Sequence, residues 1–263
     1  MKRPFLVTGL IAGIISGAIV GWLFATYSEL PDIRALQDYR PPVVSKVFSD
    51  DNRLIGEFFD ENRRPLAYES IPRNAIHAVL AVEDARFFEH KGVRVLSILR
   101  ALIADLKARR YIQGGSTITQ QLAKTLFLTP EKTFSRKIEE FMLALQLELK
   151  YTKKEILTIY FNQIYFGESS FGLEAASMTY FGKMSALLSN ADAALLAGIL
   201  NNPSIYSPFE NPEKALARRN IVLDRMLQEG FITDPEFREA SRTGMNLVAN
   251  TSGEVAPYFL ERV

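Results

Sequence analysis

The chain lacks cysteine entirely, since none of its 263 residues carries a thiol. Disulfide bonds, thiolate metal sites and cysteine nucleophiles are therefore excluded together. The sequence also lacks the G-x-S-x-G and S-x-x-K patterns, so it gives no support for serine acyl chemistry. Its two histidines, His77 and His90, lack the spacing of a zinc-binding helix, and we predict structural roles for both. No set of metal ligands is predicted.

The chain also has little net charge, because 31 basic residues balance 30 acidic ones and leave +1. A nucleic-acid-binding surface along the whole chain is therefore not expected, and any anion-binding site must be local. With 48% hydrophobic and 23% charged residues, the composition is that of a folded protein of one or two domains.

One long segment, residues 5–27, contains no charged residue. At about 1.5 Å per residue a helix of this length crosses a bilayer core of roughly 30 Å, so we predict a transmembrane helix. Lys2 and Arg3 precede it while Glu29 and Asp32 follow, which predicts a cytoplasmic N-terminus. A cleaved signal peptide is the competing interpretation, disfavoured by the length of the apolar run. Glycines recur every four residues in this segment, at Gly9, Gly13, Gly17 and Gly21. Self-association of the predicted helix through this glycine face is therefore a hypothesis.

The chain changes character beyond this segment. Residues 28–42 are polar and interrupted by proline, as in a linker. The segments VVSKVFS and RLIGEFF flank a turn-prone Asp50-Asp51-Asn52, which predicts a β-hairpin. After Pro72 the pattern is helical almost to the end. Apolar and basic residues fall on opposite sides over 98–110, which predicts a helix that either covers the core or rests on anionic lipid.

The helix predicted over 134–150 has two apolar stripes, which indicate a central position. One stripe comprises Phe134, Ile138, Phe141, Leu145 and Leu149, and the other comprises Leu143 and Leu147. Glu140 falls on the side of the second stripe, one turn after Arg136. Further helices are predicted from a capping box at Thr152 and Glu155 onward, over 190–200, and from Asn211 to Gly230.

The segment GGSTITQQLAK, from Gly114 to Lys124, has a density of hydroxyls and amides that folding alone does not require. Thr117 and Gln120 have the spacing of a capping box, so a helix is predicted to begin here with free N–H groups facing outward. Such a helix end attracts anions. The segment is either an ordinary capped helix start or a subsite for a phosphorylated or sugar ligand.

Two carboxylates stand out by their surroundings. Glu83 follows an apolar helical run and precedes Phe87 and Phe88, which would raise its pKa and suit a general acid or base. Glu140 lies among cations, which would keep it ionised. Acids with opposed environments can divide acid and base roles between them. The alternatives are a carboxylate on a helix surface for Glu83 and a plain ion pair for Glu140.

Four cations lie within fourteen positions between the polar segment and Glu140: Lys124, Lys132, Arg136 and Lys137. A glycosidase works with two carboxylates and has little use for such a cluster. An enzyme whose leaving group is a pyrophosphate needs it, because negative charge grows on that group in the transition state. A solvated charged face is the alternative.

Five segments together resemble, in order, the five motifs of the family 51 peptidoglycan glycosyltransferases. They are EDARFFEHKG from Glu83, GGSTITQQLAK from Gly114, RKIEEFMLALQLE from Arg136, KKEILTIYFNQIYFG from Lys153 and AALLAGILNNPSIYSP from Ala193. The apolar segment followed by LPDIRALQDYRPP resembles the start of a class A penicillin-binding protein. The chain departs from the family's usual residues at Thr125, Lys132, Thr158 and Asp192.

The resemblance implies a mainly α, lysozyme-like fold with a membrane-associated second lobe. It implies a cytoplasmic tail over 1–4, the transmembrane helix over 5–27, a linker and hairpin over 28–60 and a glycosyltransferase domain over 61–245. Residues 246–263 would begin the linker to a transpeptidase domain that this chain does not contain.

The resemblance also implies the reaction, in which lipid II is polymerised into glycan strands and undecaprenyl pyrophosphate is released. Glu83 would be the general base and Glu140 would assist at the donor pyrophosphate. The other residues implied in substrate binding are Asp84, Phe87, Ser116, Thr117, Gln120, Gln121, Lys124, Lys132, Arg136 and Lys137. A lysozyme-like lytic enzyme and a non-catalytic membrane scaffold are the alternatives.

The implied partners are lipid II, the growing lipid-linked strand, the membrane and a phosphoglycolipid inhibitor of the moenomycin type. No cofactor is expected to be required, and Mg²⁺ or Mn²⁺ could assist at the donor pyrophosphate. The implied location is the outer, periplasmic face of the bacterial plasma membrane. The glycine-bounded segment 109–116 is the predicted flap over the substrate groove.

Overall fold

A computed structural model describes residues 3–33, 45–48, 50, 54–58, 62–94, 116–129, 131 and 133–248. The described chain is mainly helical, as predicted. Its helices are α1 (Arg3–Ser28), α2 (Arg73–Glu83), α3 (Ile118–Phe127), α4 (Phe134–Lys150), α5 (Lys153–Gln163), α6 (Leu173–Phe181), α7 (Asn190–Ile199), α8 (Pro212–Gln228) and α9 (Asp234–Arg242). Its strands are β1 (Ser45–Phe48), β2 (Leu54–Phe58), β3 (Asn62–Arg63) and β4 (Ser170–Phe171).

Helix α7 is the centre of one half of the core. Every residue from Ala191 to Ile199 is buried, which fits a segment of alanine and leucine that is apolar on all sides. Helices α2 and α8 pack against α7 and against each other. At Gly198 an added Cβ would lie 3.1 Å from Cγ of Arg218 on α8, so this glycine lets the two helices approach closely. The packing holds the C-terminal end of α2, where Glu83 lies, beside α8.

Helix α4 has the predicted bounds, but its two stripes divide differently from the prediction. Leu143 and Leu147 are fully buried, and Glu140 is buried on their side as expected. Leu149, assigned to the larger stripe, is 88% exposed. Ile138 is only half-buried. The core-facing side of α4 is therefore the narrower leucine pair together with the buried Glu140. Helix α3 packs against α4.

The predicted helix starts are confirmed. Thr117 with Gln120, and Thr152 with Glu155, form complete capping boxes at α3 and α5. Helices α7 and α8 follow within a residue of their predicted starts, and α8 ends at Gln228 instead of Gly230. Gly230 still adopts a positive φ of 73° just past that end, a conformation that glycine adopts without strain.

Two short strand pairs accompany the helices. Strands β1 and β2 pair antiparallel, with Ser45 opposite Phe58 and an irregularity between Val47 and Phe48. Strands β3 and β4 pair in parallel, with Asn62 opposite Ser170. The guanidinium of Arg63 lies over the ring of Phe171 and donates to the side chain of Gln163 at 2.7 Å. These contacts tie the start of the helical region to the segment that follows α5.

Some sequence predictions concern the N-terminal helix or residues outside the described part of the chain. The predicted transmembrane segment 5–27 lies within α1, yet within the described residues no helix is long and apolar enough to cross a membrane. The predicted helix over 98–110 and Lys132 lie outside the described residues, as does the predicted flap except for Ser116.

Leu147→Ala is expected to lower the free energy of unfolding by about 2–5 kcal/mol, because it removes a fully buried side chain and leaves a cavity. Leu149→Ala, two residues along the same helix, is the matched control and should change it by less than about 0.5 kcal/mol. Denaturant unfolding of both variants measures the difference. Equal losses would contradict the burial described for α4.

Candidate active site

The Glu83 carboxylate lies at the last residue of α2 and is only partly accessible to solvent. Nε2 of Gln121, in the second turn of α3, donates to Oε2 of Glu83 at 2.7 Å. The hydroxyl of Tyr160, on α5, donates to Oε1 of the same Gln121 side chain at 3.1 Å. Three helices therefore meet at one carboxylate through a continuous line of hydrogen bonds.

The pKa of Glu83 is raised, as the sequence analysis predicted. Burial is the largest cause, because it penalises the charged form. The hydrogen bond from Gln121 and the positive charges of Arg218 and Lys124 lower the pKa, while the charge of Asp84 raises it. The carboxyl group is thus held between an environment that favours the proton and donors that favour its loss. This balance suits a group that takes a proton during a reaction.

Asp84 lies next to Glu83 in sequence but has a different role in the fold. Its buried Oδ2 accepts the backbone N–H of Ile118 at 3.2 Å and lies 2.8 Å from Nε2 of His90. Arg94 adds a longer ion pair at 3.9 Å. This contact fits the structural role predicted for His90. Asp84 shapes the surroundings of Glu83 by anchoring the first turn of α3.

The polar residues predicted to bind substrate divide into inward and outward sets. Thr117 and Gln120 are buried and satisfy each other in the capping box, and the Thr117 hydroxyl also donates to the carbonyl of Gly92. Phe87 is fully buried beneath the Lys153 ammonium, which lies 4.2 Å from its ring centroid. These three side chains contact the interior. Ser116 and Gln121 are partly accessible, and of the predicted set they remain available beside the two acids.

Glu140 is the centre of a cluster of charges. It is only 2% exposed, and Nη1 of Arg136 lies 3.1 Å from its Oε2. The Lys137 ammonium bonds to its Oε1 and also donates to the Ser116 hydroxyl at 2.7 Å. Two cations on one carboxylate leave a net positive charge. Lys137 and Arg136 are both partly exposed and can attract an anion to this point.

Helix α3 joins the two clusters. Ser116, which precedes its capping residue, touches the Glu140 cluster, whereas Gln121, about one turn into the helix, touches Glu83. Lys124 follows on the exposed surface, close enough for its charge to act on Glu83. The two acids, which come from α2 and α4, therefore lie along α3, together with three of the four predicted cations: Lys124 on α3 itself and Arg136 and Lys137 on α4.

Two contributors to the site were missed by the sequence analysis. Tyr160 lies among the apolar residues of a capped helix, where a tyrosine usually fills the core, so its sequence position gave no functional signal. Arg218 precedes Arg219, and only one of the pair acts near Glu83. Arg219 is buried and donates to the carbonyls of Ser241 and Thr243, which is a structural role at the end of α9. Nothing in the sequence separates the two arginines.

The residues that the structure describes include no group of three or more histidine or acidic side chains arranged to hold a metal ion. The candidate site is instead a pair of carboxylates with cations, an amide and a hydroxyl. Such a set can move a proton at one end and hold an anion at the other.

The transglycosylase family model matches residues 51–227 of the chain, which include all of these residues. The chain belongs to the transglycosylase family. Both carboxylates and their partners on α3, α4, α5 and α8 lie inside the matched region of this family member.

Penicillin-binding proteins 1A from three bacteria are similar to this transglycosylase. The protein from Aquifex aeolicus is 42% identical over 264 residues, which cover 100% of this chain and 36% of that protein. The protein from Pseudomonas aeruginosa is 42% identical over 96% of this chain and 31% of its own length. The protein from Escherichia coli K12 is 40% identical over 99% and 31%. The chain thus spans about a third of the length of these relatives.

The crystal structure of penicillin-binding protein 1A from Haemophilus influenzae aligns with 80% of this chain and 22% of its own, at 23% sequence identity and a TM-score of 0.47.

Glu83→Gln is expected to raise the free energy of unfolding at neutral pH, because it removes a carboxyl group whose ionised form is penalised by burial in the folded state. Since the pKa of Glu83 is raised above 4.5, the folded state binds the proton more tightly than the unfolded state does. The gain should be absent below about pH 4.5 and grow as the pH rises through the folded pKa. Urea unfolding of variant and wild type over this range measures it.

Glu155→Gln is a control, because the pH dependence of the stability contribution of Glu155 should have the opposite sign. Hydrogen bonds from the Thr152 backbone and side chain lower the pKa of Glu155, so its contribution to stability is lost as the pH falls through the folded pKa. A gain in Glu83→Gln that does not change with pH would contradict the environment described for Glu83.

Proposed function

We propose that this chain is a peptidoglycan glycosyltransferase that polymerises lipid II into β-1,4 glycan strands and releases undecaprenyl pyrophosphate. The observation that carries the proposal is the arrangement along α3. A half-buried carboxylate with a raised pKa lies at Gln121, and a positively charged cluster lies about one turn away at Ser116. Membership of the transglycosylase family supports the same reaction.

Glu83 acts as the general base in this proposal. It removes the proton from the 4-hydroxyl of the acceptor N-acetylglucosamine, and the resulting oxygen nucleophile attacks the anomeric carbon of the donor sugar. The bond from that carbon to the pyrophosphate breaks, and the configuration changes from α to β. Burial supports this role because it makes the carboxylate a stronger base than an exposed glutamate.

The cations act on the leaving group. Negative charge grows on the pyrophosphate oxygens as the bond breaks, and Lys124, Arg136 and Lys137 are proposed to stabilise it, together with Lys132. Glu140 holds two of these cations by direct ion pairs, so it assists at the donor side through Arg136 and Lys137. A buried carboxylate in this position fixes the cations without using up all of their hydrogen-bond donors.

The proposed place of action is the periplasmic surface of the plasma membrane, where a lipid-linked substrate resides. The charge-free segment 5–27, with basic residues before it, supports a single membrane anchor with a cytoplasmic N-terminus.

The proposal requires no resident cofactor, since lysines and arginine supply the positive charge. A divalent ion would be held by the pyrophosphate itself. A phosphoglycolipid inhibitor of the moenomycin type would occupy the same groove, and self-association through the glycine face of the anchor is part of the proposal.

Incubation of the chain with lipid II tests the function. Glycan polymer and free undecaprenyl pyrophosphate are the expected products. Shortened strands from preformed glycan, with no polymer from lipid II, would instead favour a lytic enzyme. Binding of lipid II without any product would favour a non-catalytic scaffold.

Glu83→Gln is expected to abolish polymerisation while the chain stays folded, because the amide cannot take the acceptor proton. Glu89→Gln is a control in the same segment, since this carboxylate is well exposed and, among the described residues, pairs with Arg86 at 3.8 Å. It should leave the rate unchanged. Strand formation from lipid II, followed by gel electrophoresis, measures both. Normal turnover by Glu83→Gln would refute its assignment as base.

Lys137→Met is expected to lower kcat by roughly 10²–10³-fold, because it removes a donor aimed at the developing charge. Lys214→Met, an exposed lysine on α8, is the control and should not change kcat. Steady-state rates and melting temperatures of the two variants measure the effect. If Lys137→Met only lowered the melting temperature, the cluster around Glu140 would be structural.

A further inference from the structure

Tyr160 carries a hydroxyl into the interior of the site. Its side chain is 1% exposed, and in the described part of the chain its hydroxyl bonds to Oε1 of Gln121 at 3.1 Å. Burial and the nearby charges of Glu83 and Asp84 raise its pKa well above its usual value. The hydroxyl therefore keeps its proton at neutral pH and can donate it to Gln121.

The orientation of the Gln121 amide follows from that donor. An amide has an acceptor oxygen at one end and an NH₂ donor at the other. With the oxygen accepting from Tyr160, the NH₂ group faces Glu83 and donates to its Oε2 at 2.7 Å. The flipped amide would turn its oxygen toward the carboxylate, where two acceptors would face each other and the Tyr160 proton would lose its partner.

We propose that Tyr160 is a positioning residue, whose hydroxyl holds the Gln121 amide so that an N–H points at the Glu83 carboxylate. This inference rests on the proposed function, in which Glu83 is the base. It goes further in assigning the orientation of the base's nearest donor to a side chain on a third helix. Since an N–H bond favours the ionised carboxylate, Tyr160 also sets how far the pH can fall before Glu83 is protonated.

Other groups that face Glu83 act independently of this arrangement. Arg218 on α8 and Lys124 on α3 favour the ionised form by their charge, and Asp84 at the end of α2 opposes it. In the described structure, none of these three side chains is hydrogen-bonded to Tyr160 or to the side chain of Gln121. Removing the Tyr160 hydroxyl should therefore change only the contribution of Gln121.

The test is Tyr160→Phe in the full chain, assayed on lipid II across a range of pH. Loss of the hydroxyl frees the amide and weakens the N–H bond to Glu83, so the pKa of the base rises. The acidic limb of kcat/KM is expected to move to higher pH by up to roughly one unit, which is up to roughly tenfold in rate on that limb. The alkaline plateau should be unchanged. An unmoved limb would overturn the proposal.

Tyr180→Phe is the matched control. Tyr180 is also fully buried, and its hydroxyl donates to the carbonyl of Phe166 at 2.8 Å, away from Glu83. A merely structural loss of a buried hydroxyl should lower the melting temperature in both variants and move the acidic limb in neither. A shift as large in Tyr180→Phe as in Tyr160→Phe would overturn the proposal.

A double variant that combines Tyr160→Phe with Gln121→Met tests whether Tyr160 acts on Glu83 through Gln121. Gln121→Met alone should move the limb to higher pH, because it removes the N–H donor at similar side-chain size. Adding Tyr160→Phe to it should cause no further shift, whereas a second shift of full size would show that Tyr160 acts without Gln121. If Tyr160→Phe does not fold, the single variant Gln121→Met is the test. An acidic limb of its kcat/KM profile that does not move would overturn the proposal. Failure of the wild-type chain to make polymer would instead refute the proposed function.

Discussion

The hydrogen bond from the Ile118 backbone to the buried Asp84 carboxylate is the contact on which the site depends. It ties the residue that follows α2 to the first residue of α3. Glu83 lies immediately before this junction and Gln121 lies three residues after it, so the junction fixes the distance between them. A carboxylate at a helix start also receives the favourable interaction of the helix dipole. Asp84 is held a second time by His90, which leaves the end of α2 little freedom to move.

Glu83 and Glu140 differ in the groups that stabilise their negative charge. Glu140 is nearly inaccessible but carries two direct ion pairs, so its burial is matched by charge. Glu83 is more accessible, has one neutral donor at 2.7 Å and feels Arg218 and Lys124 only through their charge. Burial therefore dominates at Glu83 and ion pairing at Glu140. One carboxyl group is suited to accept a proton, and the other to hold cations in place.

Much of the fold follows from local sequence. Capping boxes at Thr117 and Thr152 and the proline after Asn211 gave the starts of three helices, because these signals act within one turn. The burial of α4 could not be obtained in the same way. Its larger apolar stripe includes Leu149, which is exposed, since periodicity describes a face but does not say which neighbour covers it. The raised pKa of Glu83 was predicted from its apolar context, yet Phe88, one of the two aromatic residues in that context, is 56% exposed.

The sequence by itself determined the polar segment, the two acids and the cations, because their residue types and order carry the family's chemistry. Only the tertiary structure decided which of them face inward, since Thr117 and Gln120 satisfy each other inside the fold. It also decided that Tyr160 reaches Glu83 through Gln121 and that Arg218, not Arg219, acts on that carboxylate. The physical reason is that hydrogen bonds and charge act over a few ångströms in space. Residues 83, 121, 160 and 218 are far apart in sequence, and the packing of α2, α3, α5 and α8 brings them together.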